Sequence, residues 1–165
     1  MSSSPTDDAG FVRRAITIAR EADQGHGAVP IGCVVVMNGE ILGEGANQLV
    51  GKRDPTAYAE FVAIRRAAKP VGTSLHGATL YSTLQLCDRC RMGSIWSHVL
   101  RMVSGAERRQ VHSMYFEDLH FDTTDFIRDA FRDDISVTGG VLSEEGVTLY
   151  YKPGDSVPED EQGNV

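Results

Sequence analysis

Residues 54–68, DPTAYAEFVAIRRAA, decide how the chain is read. They predict a helix from about Ala57 to Ala68, ended by Lys69-Pro70, because proline lacks the amide hydrogen that a continuing helix needs. Glu60 falls two places after Tyr58 at the start of that helix. Upstream, IGCVVVM (31–37) is a nearly continuous β-branched run, and the Asn38-Gly39 behind it is a strong short hairpin signal. EILGEGANQLV (40–50) then returns as the antiparallel partner. Before the hairpin, FVRRAITIAREADQG (11–25) sets Phe11, Ala15, Ile18 and Ala22 at helical spacing, and Gly25 and Gly27 end it.

Downstream, ATLYSTL (78–84) has the composition of a buried strand. A helix is expected from Cys87 to about His98, and a short strand over LRMVSGA (100–106). Residues 106–132 read as helical in two pieces, ISVTGG (135–140) as a short strand or turn, and VLSEEGVTLYY (141–151) as a last helix. An opening hairpin followed by strands separated by helices implies one α/β domain: a three-layer α-β-α sandwich on a central mixed five-stranded sheet. Residues 1–8 and 153–165 are polar and are expected to be a disordered N-terminus and a flexible acidic tail around a domain of residues 9–152.

A composition of 41% hydrophobic and 24% charged residues is that of an ordinary globular protein. There is no apolar run of membrane-spanning length, and the polar opening MSSSPTDDAG does not resemble a signal peptide, so a cytoplasmic protein is expected. The net charge of −7 disfavours a nucleic-acid groove, although Arg101 with Arg108 and Arg109 would make a local basic patch if they are more than a solvated helix face. Three cysteines without a secretion signal argue against a disulfide framework. Cys33, inside an apolar run, reads as a small buried hydrophobe.

Cys87 and Cys90 form a C-x-x-C pair that opens a helix directly after a strand, where thiolates face the positive end of the helix dipole. Tyr58-Ala59-Glu60 sits at a second junction into a helix. Two such helix starts converging at one sheet edge make a metal pocket. Four stretches, VPIGCVVVMNGEILGEGAN (29–47), DPTAYAEFVAIRRA (54–67), TLYSTLQLCDRCRMGSI (79–95) and TGGVLSEEGVTLYY (138–151), resemble the zinc-dependent cytidine and nucleobase deaminase superfamily. The likeness is to the branch with tRNA adenosine, guanine and cytosine deaminases, whose motif is H-x-E followed by P-C-x-x-C. The resemblance implies zinc held by Cys87 and Cys90, Glu60 as the proton shuttle that is not a ligand, and Asn47 orienting a base or sugar. It also implies a homodimer, for which Met92, Trp96 and Met102 offer an apolar surface.

Two positions depart from the motif. Tyr58 stands for its histidine, and Gln85-Leu86 for the Glu-Pro before the first cysteine. Tyrosine binds a metal only as phenolate, its pKa is ordinarily about 10, and its oxygen lies farther from the backbone than an imidazole nitrogen. Several readings stay open at this point. Tyr58 is a zinc ligand, or a substrate-binding side chain. The shell is completed by water, by substrate or by His26, which is also a candidate for substrate binding. The site works without metal, or the fold is retained only to bind a ligand or partner. Segment 113–127, SMYFEDLHFDTTDFI, is either a lid carrying Tyr115, Phe116, Phe121 and Phe126 or plain helix packing. His76, His98, His112 and His120 lack partners at metal-binding spacing. The expected activity is hydrolytic deamination of a small amino-substituted purine, pyrimidine or related heterocycle. The acidic charge argues for a free base or nucleoside and against tRNA.

Overall fold

The computed structural model describes residues 5–22, 29–116, 123–130 and 132–162. Strands β1 (Gly32–Met37), β2 (Glu40–Ala46), β3 (Thr79–Leu84), β4 (Arg101–Ala106) and β5 (Ser136–Thr138) form one sheet in the order β2-β1-β3-β4-β5. β1 is antiparallel to both β2 and β3, whereas β3, β4 and β5 run parallel, so the sheet is mixed and five-stranded as expected. The Asn38-Gly39 turn has φ of 53° and 81°, the left-handed pair that a two-residue hairpin uses.

Alternation along the strands separates two cores. Val34, Val36, Tyr81 and Val103 face helix α1 (Pro5–Ala22) with Val12 and Ile16. Cys33, Val35, Leu80, Leu84 and Met102 form the other core with Ala59, Ala63 and Ala67 of helix α3 (Ala59–Val71) and Ile95 of helix α4 (Asp88–Trp96). A one-turn helix α2 (Leu49–Lys52) replaces the end of the expected second strand.

Helix α3 lies unusually close to β2. A Cβ on Gly43 would stand 2.3 Å from the Ala63 carbonyl oxygen, and one on Gly45 would stand 2.2 Å from that of Ala59. Only glycine lets the two backbones approach this far. That contact sets the height of the first turn of α3 above the sheet.

Several elements differ from expectation. α1 begins at Pro5, so residues 5–8 lie inside the folded unit. The reason is Asp8, which is buried, accepts 2.7 Å hydrogen bonds from both terminal nitrogens of Arg101, and accepts the Tyr81 hydroxyl at 2.9 Å. The buried face of α1 is Val12, Ala15, Ile16 and Ala19, while Ala22 is exposed. α3 continues past Lys69-Pro70 to Val71 before Gly72 ends it, since proline in the last turn removes only one late backbone bond.

Residues 106–116 contain two short 3₁₀ turns, 108–110 and 113–115, rather than a helix. There the Glu107 and Gln110 side chains bond each other's backbone and His112 Nδ1 accepts the Met114 N–H, which diverts the chain from a helical ladder. Helix α5 (Thr123–Asp129) follows. The closing helix shrinks to α6 (Ser143–Gly146) and one 3₁₀ turn, because the Tyr150 hydroxyl is drawn inward to Thr83 Oγ1 at 2.6 Å and the Pro30 carbonyl at 3.1 Å. Among the described residues no helix is long and apolar enough to cross a membrane.

Candidate active site

The site is built from two helix starts and one inward-facing strand position. Tyr58 is the N-cap of α3 in extended conformation, and its side chain caps nothing. The cap comes instead from Asn47, just past β2, whose Oδ1 accepts the Ala59 N–H at 2.8 Å. The preceding loop is held by Asp54, whose carboxylate accepts the Thr56 N–H at 2.8 Å. Asn47 is nearly buried, so the side chain expected to orient a base or sugar also positions the helix that carries Glu60.

Glu60 is 3% exposed. Its Oε1 accepts the Ser82 hydroxyl at 3.1 Å, and its Oε2 accepts the Cys90 thiol at 3.4 Å. Burial pushes its carboxyl above the ordinary range, against the lowering effect of these hydrogen bonds. Cys87 caps α4, Cys90 lies in its first turn, and the Cys87 thiol donates to Cys90 Sγ at 3.2 Å. The Cys90 thiol is held well above its usual value by that bond, by burial and by the Glu60 charge. Cys33 lies opposite Ser82 in the β1–β3 register and is also pushed up, by burial and then by Glu60. The structure therefore brings Glu60, Cys87 and Cys90 together at one place.

Sequence reasoning passed over Ser82 as a site residue and took Cys33 for core alone. The signal for Ser82 was a hydroxyl between Leu80 and Leu84 on the inward face of a strand.

Tyr58 is half-buried, and the Arg89 guanidinium carbon sits 4.7 Å from its ring centroid. Arg89 also donates to the Pro55 carbonyl at 3.3 Å, which fastens α4 to the loop ahead of α3. His26, His120 and Phe121 lie outside the described residues. Tyr115 is buried edge-on against Tyr150 and is packing rather than lid. Met102 is 2% exposed within the sheet, so it does not join Trp96 at the surface. Arg101 is paired with Asp8 at the start of β4, whereas Arg108 and Arg109 follow its end, so the three do not form one patch.

A zinc ion has two suitable ligands here. Thiolates bound at about 2.3 Å in a tetrahedral shell stand roughly 3.8 Å apart, and the sulfurs of Cys87 and Cys90 need only small movements to reach that spacing from 3.2 Å. Among the described residues no group of three His, Cys, Asp or Glu side chains is arranged to hold a metal ion.

The sequence pattern of the cytidine and deoxycytidylate deaminase zinc-binding region matches residues 5–106, and the chain belongs to that family. Zinc is the metal of this domain. A tRNA-specific adenosine deaminase of Buchnera aphidicola subsp. Baizongia pistaciae is 37% identical over 139 residues, covering 84% of this chain and 82% of that one. A guanine deaminase of Bacillus subtilis is 34% identical over 109 residues, 66% of this chain and 70% of the relative. A solved structure from work on A-to-I editing by tRNA deaminases at the wobble position superposes with a TM-score of 0.68 at 26% identity, covering 85% of this chain and 98% of that one. The expectation that excluded tRNA is overturned by these tRNA-specific relatives. Net charge is a sum over the whole chain and does not report the field at one groove.

Proposed function

We propose that this chain is a hydrolytic deaminase acting on the exocyclic amine of a purine, presented as a free base, as a nucleoside or within tRNA. The observation that carries the reading is Glu60 buried against the two thiols at the meeting of two helix starts. The relatives named for adenosine in tRNA and for guanine both act on purines, which supports the ring class.

Bound by Cys87 and Cys90, zinc would supply Lewis-acid activation of water. Ser82 holds Glu60 by Oε1 and leaves Oε2 on the side of the thiols. From there Glu60 takes a proton from water as the water oxygen bonds the ring carbon, and passes it to the amino nitrogen. The C–N bond breaks, ammonia leaves and the ring keeps the oxygen. Tyr58, under the Arg89 guanidinium, opens the helix that carries this carboxylate, and Asn47 caps that helix.

The test is zinc content of the purified protein together with ammonia release from adenine, guanine and their nucleosides, and inosine formation in tRNA. Turnover on any purine with about one zinc per chain is expected. Absence of product from all of them rejects the reading.

One observation favours a second reading. Among the described residues no group of three His, Cys, Asp or Glu side chains is arranged to hold a metal ion, and Arg89 lies over the ring of Tyr58. A deaminase fold with altered or lost catalysis that still binds a heterocycle fits that arrangement. Tight purine binding without ammonia release would establish it.

A further inference from the structure

Resting on the purine deaminase reading of the neighbouring site, we propose that a groove beside it docks a phosphate group of the substrate. The groove has a volume of about 660 Å³ and lies between residues 107–113 and 153–154. Gln85, two residues before Cys87 in the chain, also lines it, which ties the groove to the segment that enters the thiol pair. Its charged lining is Arg108 and Arg109 against Glu107, two positive and one negative, a local excess of one positive charge in a chain of net charge −7.

The donors are oriented by their other bonds. Gln85 Oε1 accepts the Arg108 N–H at 2.9 Å, which makes the amide nitrogen the group left to donate. His112 Nδ1 accepts the Met114 N–H at 3.2 Å, so the neutral ring carries its hydrogen on Nε2. The Arg109 side chain is 84% exposed and bonds Glu107 at 2.9 Å through one of its nitrogens, while a guanidinium has five N–H donors. Glu107 is already engaged by Arg109 and by the backbone of Gln110, which reduces its repulsion of an incoming anion.

A neutral free base offers these cations no charge to pair with, whereas a phosphate ester offers an anion with several acceptor oxygens. The Arg108 guanidinium also lies 4.9 Å over the Phe116 ring, a contact that fixes the orientation of this cation. The phosphate belongs either to a mononucleotide or to the strand on either side of the reacting base.

The test uses the whole protein and reads binding, with ammonia release measured beside it. Probes are guanosine, guanosine 5′-monophosphate and a short fluorescent single-stranded RNA, each with the parent protein and with Arg109→Gln, His112→Gln and Arg109→Lys. The monophosphate is expected to bind at least tenfold tighter than the nucleoside, or the RNA to bind with a salt-dependent affinity. Arg109→Gln should reduce that preference severalfold or lower the salt slope by about 0.7, the value of one single-strand phosphate contact. Arg109→Lys should keep most of it.

A monophosphate preference assigns the phosphate to a mononucleotide, and an effect confined to RNA assigns it to a strand. Either upholds the groove. Equal binding of nucleoside and monophosphate, with an RNA slope unchanged by the variants, overturns it. So does a phosphate preference that Arg109→Gln and His112→Gln leave intact. Phosphate binding without ammonia release would keep the groove and reject the deaminase reading, and turnover of free base with no response to phosphate would do the reverse.

Discussion

Glu60 is a carboxylate kept from water and held by a hydroxyl and a thiol. As the proton carrier, its replacement in Glu60→Gln should lower deamination by at least ~10²-fold, since an amide accepts the same hydrogen bond but moves no proton. A kinetic comparison at saturating substrate checks this. Folding raises the Glu60 pKa above its ordinary 4.5, so the protein's stability falls as pH rises from that value through the folded one. Metal-free Glu60→Gln should therefore melt higher than the parent at pH 7. At pH 4 the two should melt together, and thermal scans at both pH values decide it. Tyr58→His restores the family's ligand type and should retain zinc more strongly against a chelator. It also removes the ring beneath Arg89, and turnover on the parent's own substrate should fall. Undiminished turnover would mean that the tyrosine contributes nothing. Glu60, Cys87 and Cys90 were legible because their surroundings resemble the deaminase motif, and local sequence sets all three at helix starts, Cys87 as the N-cap of α4 and the other two in first turns. Ser82 was not, since a small polar residue on a buried strand shows its partner only after β1, β3 and α3 are assembled.

At the scale of elements, the hairpin and the long helices were readable, because β-branched runs, an Asn-Gly turn and apolar periodicity act locally. The stretch from 106 to 151 was not. Its short turns are fixed by bonds such as His112 to Met114 and Tyr150 to Thr83, which link side chains to backbone or join residues far apart in the chain. The placement of α3 was half legible. The glycines of β2 were visible as bends, but their purpose, close approach to Ala59 and Ala63, needed the sheet. Asn47 supplies the rest of that placement from twelve residues upstream. Asn47→Ala should cost ~1 kcal/mol, the usual value of a lost helix cap, and should lower kcat because Glu60 rides on the same turn. Asn47→Asp keeps an acceptor for the Ala59 N–H and should recover most of the stability. If alanine and aspartate melt at the temperature of the parent, Asn47 does not hold the helix.

At the scale of the whole molecule, charge misled where pattern did not. A total of −7 argued against tRNA, yet the sum hides a groove with a local positive excess, and the tRNA-specific relatives overturn the inference. Assembly follows a similar logic, since single apolar residues matter only where they lie. Met102 is enclosed by the sheet, which leaves Trp96, at the end of α4, as the large apolar side chain that is 68% exposed. An indole this exposed on a helix packed beside the site is a residue of the kind that anchors interfaces. In a two-fold dimer the same patch occurs on both protomers, so one substitution removes two anchors. The chain is expected to be a dimer at micromolar concentration, and Trp96→Glu to weaken it by roughly 1,000-fold, since truncating each of the two anchors costs about 2 kcal/mol. Because Trp96 is exposed in the protomer, the variant should melt within a degree or two of the parent once both are diluted to monomer. Light scattering across a concentration series measures the shift directly. A parent protein of monomer mass at micromolar concentration, or a Trp96→Glu variant that remains fully dimeric, would remove Trp96 from any interface.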